Sequence, residues 1–151
     1  VNETTLNLLI QQYEDTYVFA TQRIEKIISE QIIPMTIEQF GILRKLHKDG
    51  SCRPKDLAEY TGVHKSAITQ KSDRLVAKGY IKRKLDTKDR RNVYLSITKE
   101  GEAVYLESEK AMKMFIKSLL LKLDPMEIET LIRVHQKINT HMVNWKDEIK
   151  K

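Results

Sequence analysis

The sequence predicts a mainly α-helical fold with a small β-ribbon, an α+β arrangement. Three observations carry this reading. Apolar residues recur at steps of three and four along most of the chain, the mark of amphipathic helices. Between Pro54 and Gly79 two short helical patterns are separated only by Thr61-Gly62-Val63, the spacing of a helix-turn-helix. After Gly79 the period falls to two, as in a hairpin of strands. Helix, helix-turn-helix and ribbon in that order make a winged helix-turn-helix, here flanked by long N- and C-terminal helices.

From residue 4 to about 33, Leu6, Leu9, Ile10, Tyr13, Tyr17, Ala20, Ile24, Ile27 and Ile28 share one face of a long helix ended near Pro34. Thr36-Ile37-Glu38-Gln39 reads as a capping box, with Thr36 as N-cap and Gln39 reaching back. The helix it opens carries Phe40, Ile42, Leu43 and Leu46 and stops at Asp49-Gly50. Pro54 suits the first turn of a short helix with Leu57 and Ala58 inward. The next pattern, His64 to Lys78, turns in Ala67 or Ile68, then Ser72, Leu75 and Val76, and Gly79 closes it. Val93, Leu95 and Ile97 alternate with Asn92, Tyr94 and Ser96 and form a hairpin with the stretch from Tyr80 to Leu85. Thr98 caps a long helix reaching about Leu123, with Val104, Leu106, Ala111, Met112, Phe115, Ile116 and Leu119 on its apolar side. Asp124-Pro125-Met126-Glu127 caps the last one, marked by Ile128, Leu131, Ile132, His135, Ile138, Met142, Trp145 and Ile149. The expected organisation is one domain over 1–151. Within it a winged helix-turn-helix of 35–101 lies between helical regions of 1–34 and 102–151.

Charge points to a partner. The chain carries +6 overall, but 13 Lys and Arg stand against 6 Asp and Glu between Ser51 and Gly101. That is a net of +7, and the remainder is close to neutral. A basic excess confined to one module is the footprint of a polyanion, with double-stranded DNA the leading candidate. Apolar runs are only a few residues long, as at Leu119-Leu120-Leu121, so no membrane span is expected. The opening residues lack a signal-peptide pattern. The single cysteine, Cys52, excludes an internal disulfide and agrees with a reducing compartment. A cytoplasmic location is expected.

In a DNA-binding helix-turn-helix the second helix enters the major groove by its N-terminal turns. Here those turns read His64-Lys65-Ser66-Ala67-Ile68-Thr69-Gln70-Lys71, followed by Arg74. Lys65 and Lys71 suit phosphates, while Ser66, Thr69 and Gln70 are of a length to reach base edges. An ordinary amphipathic helix with a solvated face has the same periodicity.

The chain resembles the MarR family, winged-helix transcription regulators of bacteria and archaea. The resemblance rests on Leu57-Ala58-Glu59-Tyr60-Thr61-Gly62-Val63, on Asp73-Arg74-Leu75 with Lys78-Gly79-Tyr80-Ile81, and on Asp89-Arg90-Arg91 with Leu95-Ser96-Ile97-Thr98-Lys99-Glu100-Gly101. Each fragment is weak alone; their order and spacing together are specific. The resemblance implies that Arg91 enters the minor groove from the wing, braced by Asp89. Arg90, Lys88 and Lys84 would then attract phosphates and Asp86 shape the loop. His64 stands where the family often has Ser, Gln70 where Arg is frequent, and Lys71-Ser72 replaces a commonly apolar pair. These departures leave the target sequence open.

The first and last helices carry more apolar periodicity than one small module covers, which predicts a homodimer. The resemblance implies the same dimer, a palindromic operator, a repressor's action and release by a small aromatic ligand between dimer helices and DNA lobes. Tyr13, Tyr17, Phe40 and His47 are the candidates to line that crevice, although such spacing equally fits plain core. Cys52, beside Arg53 and Lys55, is a candidate redox thiol or a structural one. His47, His64, His135 and His141 lack the ligand spacing of a structural zinc site. No metal or cofactor is expected. Neither a glycine-rich phosphate loop nor a nucleophile elbow is present, so an enzyme is not expected. The alternative is a winged helix serving protein contacts without specific DNA binding.

Overall fold

The computed structural model describes residues 1–148, so Ile149 of the expected last stripe lies outside the described residues. Asn2 caps α1 (Glu3–Tyr13), its side chain accepting from the Thr5 amide at 2.8 Å. The helical course continues through a π turn at Glu14–Val18, α2 (Phe19–Ile27) and a second π turn at Ile28–Ile32. In each, an amide bonds five residues back, Phe19 to Glu14 and Ile33 to Ile28. Each such turn takes in one extra residue and shifts the stripe that follows. The single regular helix expected here is therefore interrupted twice. No residue from Glu3 through Ile27 is buried in the single chain.

The capping box at Thr36 is formed in both directions. The Gln39 amide donates to Thr36 Oγ1 and the Thr36 amide to Gln39 Oε1, each at 3.1 Å. It opens α3 (Ile37–Asp49), which ends where Gly50 adopts a positive φ of 83°. α4 (Pro54–Thr61) and α5 (Lys65–Ala77) follow, joined by a turn in which Gly62 is left-handed. Ile42, Leu43 and Leu46 of α3, Leu57 of α4, and Ile68 and Leu75 of α5 are completely buried. Each such side chain contributes roughly 1.5–3 kcal/mol on leaving water.

The hairpin pairs β2 (Ile81–Leu85) with β3 (Val93–Ile97), in register from Ile81–Ile97 to Leu85–Val93. A third strand, β1 (Ser51–Cys52), pairs with β3 through Ser51–Ser96 and Cys52–Leu95 and completes an antiparallel sheet of order β1-β3-β2. Two residues carry no alternation, so β1 was not expected. Of the two readings of Cys52, redox or structural, it favours the structural one. Rather than being activated by Arg53 and Lys55, the thiol is buried against β3. Burial first, and the Asp49 carboxylate second, push its pKa up, with Lys45 opposing.

α5, the hairpin and the following helix, α6 (Lys99–Leu120), meet at one junction. The Tyr80 amide donates to the Leu75 carbonyl at 3.0 Å, and the Thr98 amide to the Tyr80 carbonyl at 3.0 Å. The Thr98 hydroxyl donates to the Gly79 carbonyl at 2.6 Å and accepts from the Gly101 amide at 3.0 Å. A Cβ on Gly101 would overlap the Tyr80 carbonyl oxygen. This approach fixes the rotation of α6, and its buried face is Gly101, Tyr105, Ser108 and Met112. The expected apolar side shares only Met112 with it; Leu106, Ile116 and Leu119 are exposed in the single chain. Periodicity gave the helix but the wrong rotation, because the contact that sets it prefers small and polar residues. α7 (Pro125–Glu148) is opened by a reciprocal Asp124–Glu127 box, both bonds 2.9 Å. The chain divides into two compact units, Val1–Met112 and the part from Lys113 onward.

Two outcomes follow. Gly101→Ala should destabilise the fold by about 2 kcal/mol or more through forced backbone displacement, read as a lower urea midpoint. Cys52 should react with iodoacetamide at least about tenfold more slowly than a free thiol at pH 8, because the raised pKa and burial both withhold thiolate. Unfolding the chain in denaturant should restore the ordinary rate; prompt labelling of folded protein would contradict the burial.

Candidate nucleic-acid interface

α5 divides cleanly into two faces. Ile68, Ser72 and Leu75 are buried, and the opposite side exposes Ser66, Thr69, Gln70 and Asp73, flanked by Lys65 and Arg74. That division follows from a period of 3.6 residues. His64 holds the N-cap position without a side-chain capping bond, and Ala67 is half-buried at the edge. Lys71 departs from its expected role. It lies on the flank nearer the core, half-buried, with Nζ 3.9 Å from Glu38 Oε1 of α3. Its charge is therefore shared with an acid of the same chain instead of standing free for a phosphate.

The wing's tip is built by two aspartates. The Asp86 amide donates to the Asn92 carbonyl at 2.9 Å, and Asp86 Oδ1 accepts from the Lys88 amide at 3.0 Å. Asp89 Oδ1 accepts from both the backbone amide of Arg91, at 3.0 Å, and its side-chain Nε, at 3.3 Å. One carboxylate thus ties both the backbone and the side chain of Arg91, while that side chain remains 93% exposed. A pair this exposed adds little to stability, well under about 1 kcal/mol. What it does is restrict the rotamers of a long side chain before any partner arrives. Lys84, Lys88 and Arg90 are exposed around it.

Two cations of the hairpin were missed by the sequence reading. Lys82 is exposed on β2, and Arg83 donates through Nη2 to Asp73 Oδ1 of α5. The strand alternation holds the signal for Arg83, since Ile81, Arg83 and Leu85 occupy one face.

The aromatic candidates separate into two groups. Tyr13 and Tyr17 stack on each other, ring centroids 5.2 Å apart, and both are exposed. Phe40 and His47 instead flank Tyr105, at 5.5 and 4.7 Å, and His47 Nδ1 meets the Glu102 carboxylate. The Tyr105 hydroxyl donates to Glu109 at 3.1 Å; burial and that carboxylate push its pKa up to about 12. Phe40 also lines a cavity of about 400 Å³ with Ile28, Glu38, Arg44, Tyr60 and Met112; Tyr13, Tyr17 and His47 do not line it. The expected crevice of four residues therefore does not form as one site in the single chain. Arg44 and Tyr60, which are not among the expected crevice residues, line the cavity beside Phe40. Among the described residues, no three His, Cys, Asp or Glu side chains gather so as to hold a metal ion, and no helix is long and apolar enough to cross a membrane.

The sequence model of the MarR family matches residues 35–93, the helix-turn-helix and most of the wing. The chain is similar to YdgG of Bacillus subtilis, an HTH-type transcriptional regulator, with 27% identity covering 89% of this chain and 90% of YdgG. It is 41% identical over 73 residues to MdtR of B. subtilis, an HTH-type transcriptional repressor, covering 48% of this chain and 47% of MdtR. In structure it is similar to BpsR of Bordetella bronchiseptica, whose DNA binding is regulated by 6-hydroxynicotinic acid. That likeness has a TM-score of 0.74 and 26% identity, and covers 85% of this chain and 98% of that one. A helix-turn-helix with an exposed polar face, a wing carrying a braced arginine and these likenesses converge: the chain belongs to the MarR family of DNA-binding transcriptional regulators.

Proposed function

We propose that the chain acts as a homodimeric repressor that binds a palindromic operator and releases it when a small aromatic molecule is bound. The observation that carries the reading is Arg91, its side chain exposed to solvent yet tied at its backbone amide and at Nε to Asp89. In this reading Arg91 enters a minor groove, where negative potential is concentrated and no base-specific bond is needed. Ser66, Thr69 and Gln70 face base edges in the adjacent major groove, Gln70 suiting the edge of an adenine. Lys65, Arg74, Lys84, Lys88 and Arg90 attract phosphates. The repressor described in MdtR supports the direction of control.

Pairing of two chains accounts for the apolar residues left exposed in each. Leu6, Leu9, Ile10 and Ile24 lie open along the first helical course, and Leu131, Ile132 and Val134 along α7. Two-fold pairing would cover such stripes and set two recognition helices about one turn of DNA apart. The effector's place is the cavity beside Phe40. Phe40 and Tyr60 offer flat walls to a ring, and Arg44 offers a countercharge to an acid group. BpsR, which responds to a planar aromatic acid, supports this class of ligand.

Selection of bound duplexes from a randomised pool tests the proposal. A palindromic sequence should be enriched and occupied by two chains per duplex. Arg91→Ala should weaken binding about tenfold with an unchanged melting temperature, and Gln70→Ala should relax one base position of the selected sequence. No enriched sequence, or an Arg91→Ala variant that binds as tightly as the parent, would sink the reading.

A further inference from the structure

Arg83 occupies a position where a strand normally continues the core. The register sets it opposite Leu95, which is 1% exposed, just as Ile81 lies opposite Ile97. Directly opposed residues of an antiparallel pair share a face, so Arg83 projects from the inward side, while Lys82 and Lys84 take the other. Its guanidinium bonds Asp73, on the exposed face of α5 one turn beyond Gln70. The side chains are 40% and 56% exposed, so the pair contributes little to stability. A carboxylate on the face that meets DNA is costly for binding unless it performs another task, because it repels phosphates.

We infer that Asp73–Arg83 is a positioning clamp that sets the angle between recognition helix and wing, so that Gln70 and Arg91 reach adjacent grooves together. The pair is the side-chain tie between the exposed part of α5 and the inward face of β2. Beyond it the hairpin is held by its own ladder and by the junction at Tyr80. The inference rests on the reading of α5 and the wing as DNA-contacting elements. Neither Asp73 nor Arg83 need touch DNA, and both act through where they hold Gln70 and Arg91.

The test uses the full chain and duplexes enriched by the parent. Asp73→Asn removes a negative charge from the DNA-facing side, so electrostatics alone predicts tighter binding. The clamp predicts the opposite sign, a loss of about tenfold, with the melting temperature within about 3 °C of the parent. The exchange variant Asp73→Arg/Arg83→Asp should recover most of that loss. Arg91→Ala should cost less in the Asp73→Asn background than in the parent, because an unplaced wing has less to lose. Equal or tighter binding by Asp73→Asn overturns the clamp, as does failure of the exchange variant to recover affinity while it melts like the parent. If a single variant unfolds, the folded exchange variant decides the matter. A parent that enriches no duplex overturns the DNA-binding reading itself, whereas a binding parent with an indifferent Asp73→Asn overturns the clamp alone.

Discussion

The close approach of Gly101 to the Tyr80 carbonyl is the constraint on which the winged helix-turn-helix depends. Tyr80 is where the recognition helix has just ended and β2 is about to begin; Gly101 lies in the first turn of α6. With no side chain between them, the Thr98 hydroxyl can bond backward to Gly79 and forward to Gly101. The Thr98 amide reaches Tyr80. Recognition helix, both wing strands and α6 are thereby held from a single point. A helix rotated by one residue at this point would present Leu106 where Tyr105 is buried, and the stack of Phe40, Tyr105 and His47 would be lost.

Stability and placement come from different parts of the molecule. Ile42, Leu43 and Leu46 of α3, Leu57 of α4, Ile68 and Leu75 of α5, and Ile81 and Leu95 of the sheet hold the unit together, all of them buried. The ion pairs Asp89–Arg91, Asp73–Arg83 and Lys71–Glu38 lie in water or at its edge. In that setting water and salt screen most of their attraction. Their consequence is geometric: each chooses one direction for a long side chain that would otherwise sample many. A charge cluster of mixed sign at the wing's tip makes sense on this basis. Lysine and arginine alone would attract a polyanion, but the embedded aspartates fold the loop and aim one arginine.

The features legible in the sequence are those whose partners lie within a few residues. Both capping boxes, the turn at Gly62, the hairpin and its alternation, and the Asp89 brace implied by resemblance all close over short spans. What escaped notice depends on chain segments that come together only in the fold. Asp73 and Arg83 are ten residues apart, Glu38 and Lys71 thirty-three, and β1 has no pattern until β3 supplies its partner. The rotation of α6 was misread because a glycine, a tyrosine and a serine line its inner face where leucine and isoleucine look better qualified. The basic neighbours of Cys52 in sequence leave a redox and a structural reading both open; burial and Asp49, which raise its pKa, come only with the fold.

On the proposed function the basic middle third of the chain is a surface for a polyelectrolyte, with Arg91 among its contacts. The most direct measurement is equilibrium binding of the intact chain to a selected duplex as potassium chloride rises from about 50 to about 300 mM. Logarithmic affinity should fall linearly with logarithmic salt, with a slope on the order of −5 or steeper, and Arg91→Ala should make it shallower by about one. Binding that stays level across the series, in parent and variant alike, would contradict the account.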